Sequence, residues 1–239
     1  MKYFYQEIAK YGYIPYTTPL QFAGTGTLVG GSPKMMALIA NPNTCFPGID
    51  SGPNQLRYRD ESTLPNTKEH FIVNANMTLN LFQGMQTGFP SIKAGVHINE
   101  AQTIELEFDG IHIEYIDAVK LVNFYRHEMS DVCRSYLDQV GFIVQAIVAD
   151  QVRFSFFHQN GGRIELTVDK IQQLVDISVG TNWEIEQSAT LVIKTPKHIG
   201  YQLGSLRSKD NGLSLSRASK VMLNKWIFQE IGVYPKDGF

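Results

Sequence analysis

Residues 71–82 read FIVNANMTLNLF, and the alternation of apolar and polar side chains in this stretch decides the fold. Successive side chains of a strand point to opposite faces, so the pattern predicts a strand with one apolar and one polar face. Asparagine is depleted in strands, so three asparagines on one face need a reason. The apolar residues are Val73, Ala75, Met77, Leu79 and Leu81.

Three later stretches, 96–108, 142–157 and 163–172, alternate over part or all of their length and predict a second and longer set of strands. Together with 71–82 they form two long amphipathic hairpin regions, the second of which turns at Asn160-Gly161-Gly162. The alternation changes parity at Asp109-Gly110, which predicts a bulge or a tight bend. The apolar positions of these strands are Ile104, Leu106, Phe108, Val152, Phe154, Phe156, Ile164, Leu166 and Val168.

Helical spacing predicts a helix over 116–138 with a break at Ser130, and an amphipathic helix over 217–232 that follows a polar linker. Shorter helical segments are predicted at 3–11 and 168–177. Residues 19–66 are interpreted as a loop that holds short strands or one helical turn around 35–39. The fold class is therefore α+β, a twisted antiparallel-rich sheet with peripheral helices.

The composition is that of an ordinary folded protein, with 43% hydrophobic and 18% charged residues among 239. The net charge of −2 predicts no nucleic-acid partner. Residues 194–225 are nevertheless basic, which indicates either a solvated loop or a surface for anionic lipid. Cys45 and Cys133 exclude a disulfide framework; one disulfide is possible, but two free thiols in a soluble, cytosolic protein are favoured.

No stretch of the sequence matches a catalytic, cofactor or metal motif. GTGTLVGG at 24–31 lacks the spacing of a phosphate-binding loop and is interpreted as a flexible loop. Glu105 and Glu107 share one strand face and could act as an acid–base pair, although a solvated strand face explains them as well. His97 and His112 are expected on water-facing sides of strands. We therefore expect no cofactor and no enzyme activity.

The order of these segments resembles the gasdermin family, most closely its small bacterial members. The resemblance spans roughly residues 5–208 and is one of pattern, without a motif of catalytic specificity. It is carried by IAKYGYIPY, FIVNANMTLNLF, EAQTIELEFDGI, VGFIVQAIVADQVRFSF, GGRIELTVDKIQQLV and SATLVIKTPKHIGYQLGSL.

The resemblance implies a pore-forming protein of cell-death defence, of the anti-phage type in bacteria. A cytoplasmic, inhibited monomer would be cut by a caspase-like protease, oligomerise and insert two hairpins per protomer into the cell inner membrane as a β-barrel. The first hairpin would be 71–82 with 94–108, and the second 142–157 with 163–172. The apolar positions named above would face lipid, and the asparagines of the first strand would line water.

The resemblance also implies a division of the chain into a pore-forming domain at 1–207, an exposed linker at 208–216 and an inhibitory helical tail at 217–239. Cutting is expected within the region of Asp210, Asn211, Gly212 and Leu213. The tail would dock through Met222, Leu223, Trp226, Ile227 and Ile231. No cysteine stands among the first residues, where many bacterial members are lipidated, so lipidation there is not expected.

Three alternatives stay open at this stage. The chain could be a binding module that uses an antiparallel sheet, a hydrolase that uses Glu105 and Glu107, or a pore former controlled by redox chemistry or a partner protein rather than by cleavage.

Overall fold

The computed structural model describes most of the chain. It covers residues 8–10, 12–20, 24–32, 35–61, 68–72, 91–92, 103–137, 139–158, 160–169, 175–176, 182–209, 212–222 and 225–235. The first predicted strand therefore falls outside the described residues beyond Ile72, and the helix predicted at 3–11 is described only at 8–10, which are helical.

Fourteen strands and three helices lie wholly within the described residues, besides the helical residues at 8–10 and 168–169. The strands are β1 (Ile14–Leu20), β2 (Leu28–Ser32), β3 (Met35–Ala40), β4 (Arg57–Asp60), β5 (Lys68–Ile72), β6 (Ser91–Ile92), β7 (Thr103–Ile116), β8 (Gly141–Phe157), β9 (Val175–Asp176), β10 (Trp183–Glu186), β11 (Thr190–Ile193), β12 (Lys197–Lys209), β13 (Gly212–Met222) and β14 (Lys225–Pro235). The helices are α1 (Pro42–Cys45), α2 (Ala118–His127) and α3 (Asp131–Leu137).

Strand β8 is the centre of the sheet, in which twelve of the described strands pair antiparallel. Along one side it pairs with β7 and, at its first residues, with β2. Along the other side it pairs with β12 and then with β11, which carries β10. Strand β12 continues to β13 and β14. The predicted antiparallel-rich α+β fold is confirmed.

Three buried cores hold the sheet. The first core consists of Ile8, Tyr13, Leu106, Phe108, Ile147, Ala149, Val152, Phe154, Phe156, Ile164, Leu166, Leu191, Ile193 and Ile199. The second core joins the three helices to the sheet and includes Phe46, Leu121, Phe124, Leu137, Phe142, Leu206, Leu213 and Leu215. The third core is smaller and lies around Ile143, Tyr201, Leu203 and Ala218.

The parity change in β7 is present in the structure, and β8 changes parity with it. Phe108 pairs with Val152 and Ile111 pairs with Ala149, without a shift of register between the two pairs. All four contact the first core, so in both strands the core-facing positions change parity at this point. Gly110 has a φ of +63°, a conformation that glycine adopts without strain. The predicted bulge is therefore wrong, because neither strand holds an extra residue.

The helix predicted at 116–138 is confirmed as two helices that separate at Ser130. The Asp117 side chain accepts a hydrogen bond from the Lys120 amide at 3.0 Å and caps the start of α2. In α3, Arg134 Nε donates to the Tyr125 carbonyl oxygen at 2.9 Å. This bond fixes α3 against the end of α2.

Several local predictions are wrong where pairing partners override local preference. Of the two alternatives for the segment around 35–39, the strand is confirmed and the helical turn is wrong, because 35–40 form β3 and pair with β2. Residues 175–176 lie in β9, although 168–169 are helical as predicted. The loop at 24–27 is buried rather than flexible, since Arg57 Nη2 donates to the Thr25 carbonyl oxygen at 2.6 Å.

The helix predicted at 217–232 is also wrong, because this segment forms β13 and β14. The Leu-Ser-Leu-Ser alternation at 213–216 suits a strand, and residues 226–234 are rich in aromatic and β-branched side chains. The helical spacing of Met222, Trp226 and Ile227 did not decide the structure, because 212–217 pair with β12 and 212–222 pair with β14.

The two cysteines form a disulfide, so the favoured expectation of two free thiols is wrong. Cys45 ends α1 and Cys133 lies in α3, with a Cα–Cα distance of 5.5 Å. Both are buried in the second core. Their sequence separation of 88 gave no indication of contact, because folding alone brings α1 and α3 together.

Candidate functional site

The predicted lipid-facing positions within the described residues come together in the fold. Seven of them belong to the first core: Leu106, Phe108, Val152, Phe154, Phe156, Ile164 and Leu166. Val168 differs, because half of its side chain is exposed. Ile104 pairs with Phe156 in the β7–β8 ladder. The five positions from Val73 to Leu81 lie outside the described residues.

The opposite face of the same strands is charged. Arg153 on β8 donates from Nε to Asp109 Oδ2 at 2.6 Å and from Nη1 to Glu186 on β10. Ser155 Oγ lies 3.0 Å from Thr190 Oγ1. The β7–β8 pair thus has one face buried in the first core and one face that accepts water, which is the arrangement that the alternation predicted.

The strands β13 and β14 attach the end of the chain to the body through side chains that sequence reasoning missed. Leu213 and Leu215 are buried in the second core, and Ala218 is buried in the third core against Phe228. Ser214 Oγ donates to Glu230 Oε2 at 2.6 Å across the two strands. The Leu-Ser-Leu-Ser alternation was the signal that could have found these anchors.

The residues predicted to dock an inhibitory helix occupy different places. Ile227 and Ile231 are exposed, at 38% and 52%. Met222 and Trp226 lie in β13 and β14 respectively, and Leu223 falls outside the described residues. The docking surface predicted from the helix is therefore wrong for Ile227 and Ile231.

The predicted exposed linker at 208–216 is wrong over most of its length. Ser208 is exposed, but Gly212, Leu213 and Ser214 are buried in β13. Lys209 pairs with Gly212, so Asp210 and Asn211, which the structure does not describe, connect two paired strands. Of the predicted cleavage region, Gly212 and Leu213 are held in the sheet, whereas Asp210 and Asn211 lie outside the described residues.

A polar cavity of about 390 Å³ lies beside the part of β7 that contains His112 and Glu114. Arg57 on β4 crosses its floor and donates to Thr25 Oγ1 at 2.7 Å and to Asp50 Oδ1 at 2.7 Å. Arg59 on the same strand donates to Asp150 Oδ2 at 3.0 Å. The two guanidinium groups are therefore engaged in ion pairs that join β4 to the loops and to β8.

Two histidines complete this network, and sequence reasoning had placed one of them in water. His112 is only 5% exposed, and its Nδ1 lies 3.5 Å from Asp150 Oδ1. His198 Nε2 lies 3.3 Å from Glu114 Oε2. Burial opposes ionisation of Glu114, but the contacts with His198 and Arg57 outweigh it and lower its pKa. These ion pairs and hydrogen bonds thus connect β4, β7, β8 and β12 around the cavity.

Lys197, the first residue of β12, is fully buried, and burial lowers its pKa to about 8. The unfolded pKa is about 10.4, so between these values the unfolded chain binds more protons than the folded chain. We expect the free energy of unfolding to rise by up to about 2 kcal/mol from pH 8 to 9.5. Urea titrations over this range measure the rise.

The matched controls for this prediction are Lys197→Met, which should remove the rise, and Lys194→Met, which should keep it because Lys194 is paired at the surface with Glu184. Above pH 10 the trend reverses, since burial raises the pKa of Tyr13 to about 12 and also raises the pKa of Tyr201. Their ionisation in the unfolded chain then favours unfolding. A flat profile in the wild type from pH 8 to 9.5 would contradict the prediction.

Other candidate chemistry gains no support from the geometry. Glu105 and Glu107 lie on the charged face of β7, outside the polar cavity. Within the described residues no three His, Cys, Asp or Glu side chains are placed to hold a metal ion. Among those residues, too, no helix has both the length and the apolar character needed to cross a membrane.

Comparison with known proteins gives a family match. A model of the Bacterial Gasdermin Family matches residues 64–212. A bacterial gasdermin from Bradyrhizobium tropiciagri is among the similar solved structures, with 12% identity, 86% coverage of both chains and a TM-score of 0.48. No match is found among curated proteins.

Proposed function

We propose, from the premise that this chain belongs to the bacterial gasdermin family, that it is an autoinhibited and non-enzymatic pore former. After a caspase-like or other protease removes its C-terminal element, protomers oligomerise and insert β-hairpins into a lipid bilayer. The monomer rests in the cytoplasm, and the pore opens the inner membrane to cause cell death in defence against phage.

The observation that carries this proposal is the one-sided β7–β8 pair. Its apolar side chains are buried in the first core while the opposite face carries Arg153, Asp109 and Ser155. A strand of a membrane barrel needs the same division, with one face toward lipid and one toward water. The buried face of the monomer would become the lipid face of the pore. The opposite face would be in contact with water in both the monomer and the pore. The same requirement would account for the asparagines on one face of the first predicted strand.

The C-terminal element of this proposal is the β13–β14 hairpin, in place of the helix expected from the sequence. Six residue pairs join β13 to β12, from Gly204–Arg217 to Lys209–Gly212. Leu213 and Leu215 add burial in the second core, at about 1.5–3 kcal/mol for each leucine. These contacts would hold the inhibited state even after the chain is cut, so release of the hairpin is a separate step.

Dye release from liposomes tests the proposal. A specific protease site placed between Asp210 and Asn211 allows the hairpin to be cut from otherwise unchanged protein. We expect negligible leakage before the cut and strong leakage after it, once the β13–β14 fragment has dissociated. Size-exclusion chromatography with mass spectrometry reports whether the fragment has left.

A matched nick controls for cutting as such. Gly52 lies in an exposed loop with open space around it, and the Cys45–Cys133 disulfide keeps the two fragments joined. Cutting at Gly52 should cause no leakage. No leakage from the folded protein freed of its hairpin, on anionic and neutral lipids alike, would reject the pore former and favour the binding module.

Val168 allows the predicted lipid face to be tested without disturbing the core. Half of its side chain is exposed, so Val168→Asp should leave the melting temperature unchanged. A charge on the lipid face of a barrel costs about 2–4 kcal/mol at the midplane, so we expect this variant to lose most of its leakage after the cut. Val132→Asp is the control, because Val132 is 64% exposed on α3, outside both hairpins. Full leakage by Val168→Asp would remove Val168 from the lipid face.

Redox control is a second candidate for the regulation, and the Cys45–Cys133 disulfide is the observation that favours it. The disulfide joins α1 to α3, and α3 belongs to the connection between β7 and β8. If reduction releases the pore-forming state, uncut protein should leak when treated with a dithiol reductant. Leakage that needs the cut under both reducing and oxidising conditions would leave proteolysis as the control.

A further inference from the structure

The large sheet consists of two blocks that meet along one line. Strand β4 pairs with β7 from 113 to 116, whereas β5 pairs with it from 103 to 107. On the other side, β12 pairs with β8 from 142 to 149, whereas β11 pairs with it from 152 to 155. The breaks on both sides fall at the same level. Of the described strands, β7 and β8 alone run from one block into the other.

Gly110 and Asp150 lie on this line. It is also the point at which both strands change the parity of their core-facing residues. Gly110 has a φ of +63°, and a Cβ atom there would stand 2.6 Å from Asp150 Oδ2 and 2.8 Å from Asp150 Cβ. Asp150 is held in turn by Arg59 and His112. Three features therefore coincide on this line. They are the positive φ of Gly110, its close approach to Asp150, and the ion pairs of Asp150 with Arg59 and His112.

The two blocks differ in what holds them. The inner block comprises β7 from residue 111, β8 up to residue 149, β4 and β12, and it is packed by all three cores and the disulfide. The outer block comprises 103–109, 151–157, β5, β10 and β11. Among its described residues, those that belong to a core cluster all belong to the first core, while Val192 and Ser155 are buried outside the three cores. The described part of the outer block thus packs in one core rather than three and lacks the disulfide, and a unit with fewer such supports opens at a lower cost.

We propose that the sheet is hinged along the line through Gly110 and Asp150, so that the outer block opens as one cooperative unit while the inner block stays folded. A second part of the proposal rests on the proposed function. On membrane insertion, the same line separates the part of the chain that leaves the soluble fold from the part that keeps it. Residues 103–109 and 151–157 enter the bilayer, and residues 111–116 and 141–149 remain outside it.

Hydrogen exchange of the full-length, uncut protein in solution tests the hinge without any membrane. The amides of the outer block should share one opening equilibrium; they are those of 103–109, 151–157 and 190–193. The equilibrium constant for this opening should be at least tenfold larger than the constant for the inner-block amides of 111–116, 141–149 and 197–206. The step in protection should fall between 109 and 111 in β7, and between 149 and 152 in β8. A single opening equilibrium for all these strands, or a step elsewhere, overturns the proposal.

Gly110→Ala adds a directed perturbation. The substitution places a Cβ against Asp150 at a positive φ, and opening of the outer block relieves that strain. Hydrogen exchange of the outer block should therefore be about tenfold faster in the variant than in the wild type. Exchange of the inner block should be unchanged. Gly52→Ala is the control, because Gly52 has a φ of +79° with nothing within 4 Å and lies in the loop before β4, outside the outer block. If Gly110→Ala does not fold, the step in wild-type protection decides the question by itself.

Exchange on liposomes, after the cut between Asp210 and Asn211, separates the hinge from the proposed function. Leakage with changes in protection that stop at residues 109 and 151 supports both. Leakage with changes that run on to residues 116 and 141 overturns the line as the limit of insertion and keeps the pore. An absence of leakage rejects the proposed function, and the exchange of the soluble protein then still accepts or rejects the hinge.

Discussion

Replacing Phe154 with alanine is expected to lower the free energy of unfolding by about 3–5 kcal/mol. Phe154 is 1% exposed and lies in the first core, on a strand that is paired on both sides. Its loss leaves a cavity that the paired backbones on either side prevent from collapsing. Chemical denaturation followed by circular dichroism measures the change.

Phe157→Ala is the matched control for this prediction. Phe157 ends the same strand, is only half-buried and contacts the Arg163 guanidinium rather than a closed core. The same deletion should therefore cost less than half as much. Equal losses at the two positions would show that the first core is not the main support of β8. The comparison is direct, because both variants lose the same atoms from the same strand.

Removing the disulfide is expected to have an effect of similar size. With a sequence separation of 88 between Cys45 and Cys133, the loss of chain entropy in the unfolded state corresponds to about 4–5 kcal/mol in the simple model, and 2–4 kcal/mol is typical of measured cases. The double variant Cys45→Ala with Cys133→Ala should therefore unfold at a much lower denaturant concentration. The midpoint of denaturation, measured without reductant, reports the change.

Reduction provides the control for the double variant. A dithiol reductant should lower the midpoint of the wild type toward that of the double variant and should leave the double variant itself unchanged. If reductant leaves the wild-type midpoint where it is, while the thiols are shown to be free, the disulfide contributes nothing to stability. A double variant as stable as the oxidised wild type would lead to the same conclusion.

The sequence predicted those elements whose side chains carry the information locally. The alternation around Leu106 and Phe154 predicted strands, and Ser130 predicted the separation of α2 from α3, because capping and periodicity act within a few residues. The C-terminal hairpin was missed for the opposite reason. Its residues satisfy a helical spacing as well, and the choice between the two depends on β12, a partner that the segment itself does not reveal.

The polar cavity and the disulfide could not be predicted for a similar reason. Arg57, Glu114 and His198 come from three distant parts of the chain and meet only because β4, β7, β8 and β12 are neighbours. Cys45 and Cys133 likewise meet only through the packing of α1 against α3. Short-range patterns predict which face of an element is buried, but not which other element covers it.

The β13–β14 hairpin covers one edge of β12, and this has a consequence for molecules of this protein from which the hairpin has been removed. Within the described part of the chain, residues 205–209 of β12 have β13 as their pairing partner. Without it, a row of backbone N–H and C=O groups becomes an open sheet edge, which is a template for strand addition by another chain. A chain ending at Asp210 should therefore self-associate through β12 in solution as its concentration rises. The full-length chain, in which β13 covers these residues and β14 forms the edge, should not associate through β12. Loss of the proposed inhibitory element and exposure of the β12 edge would then be the same event.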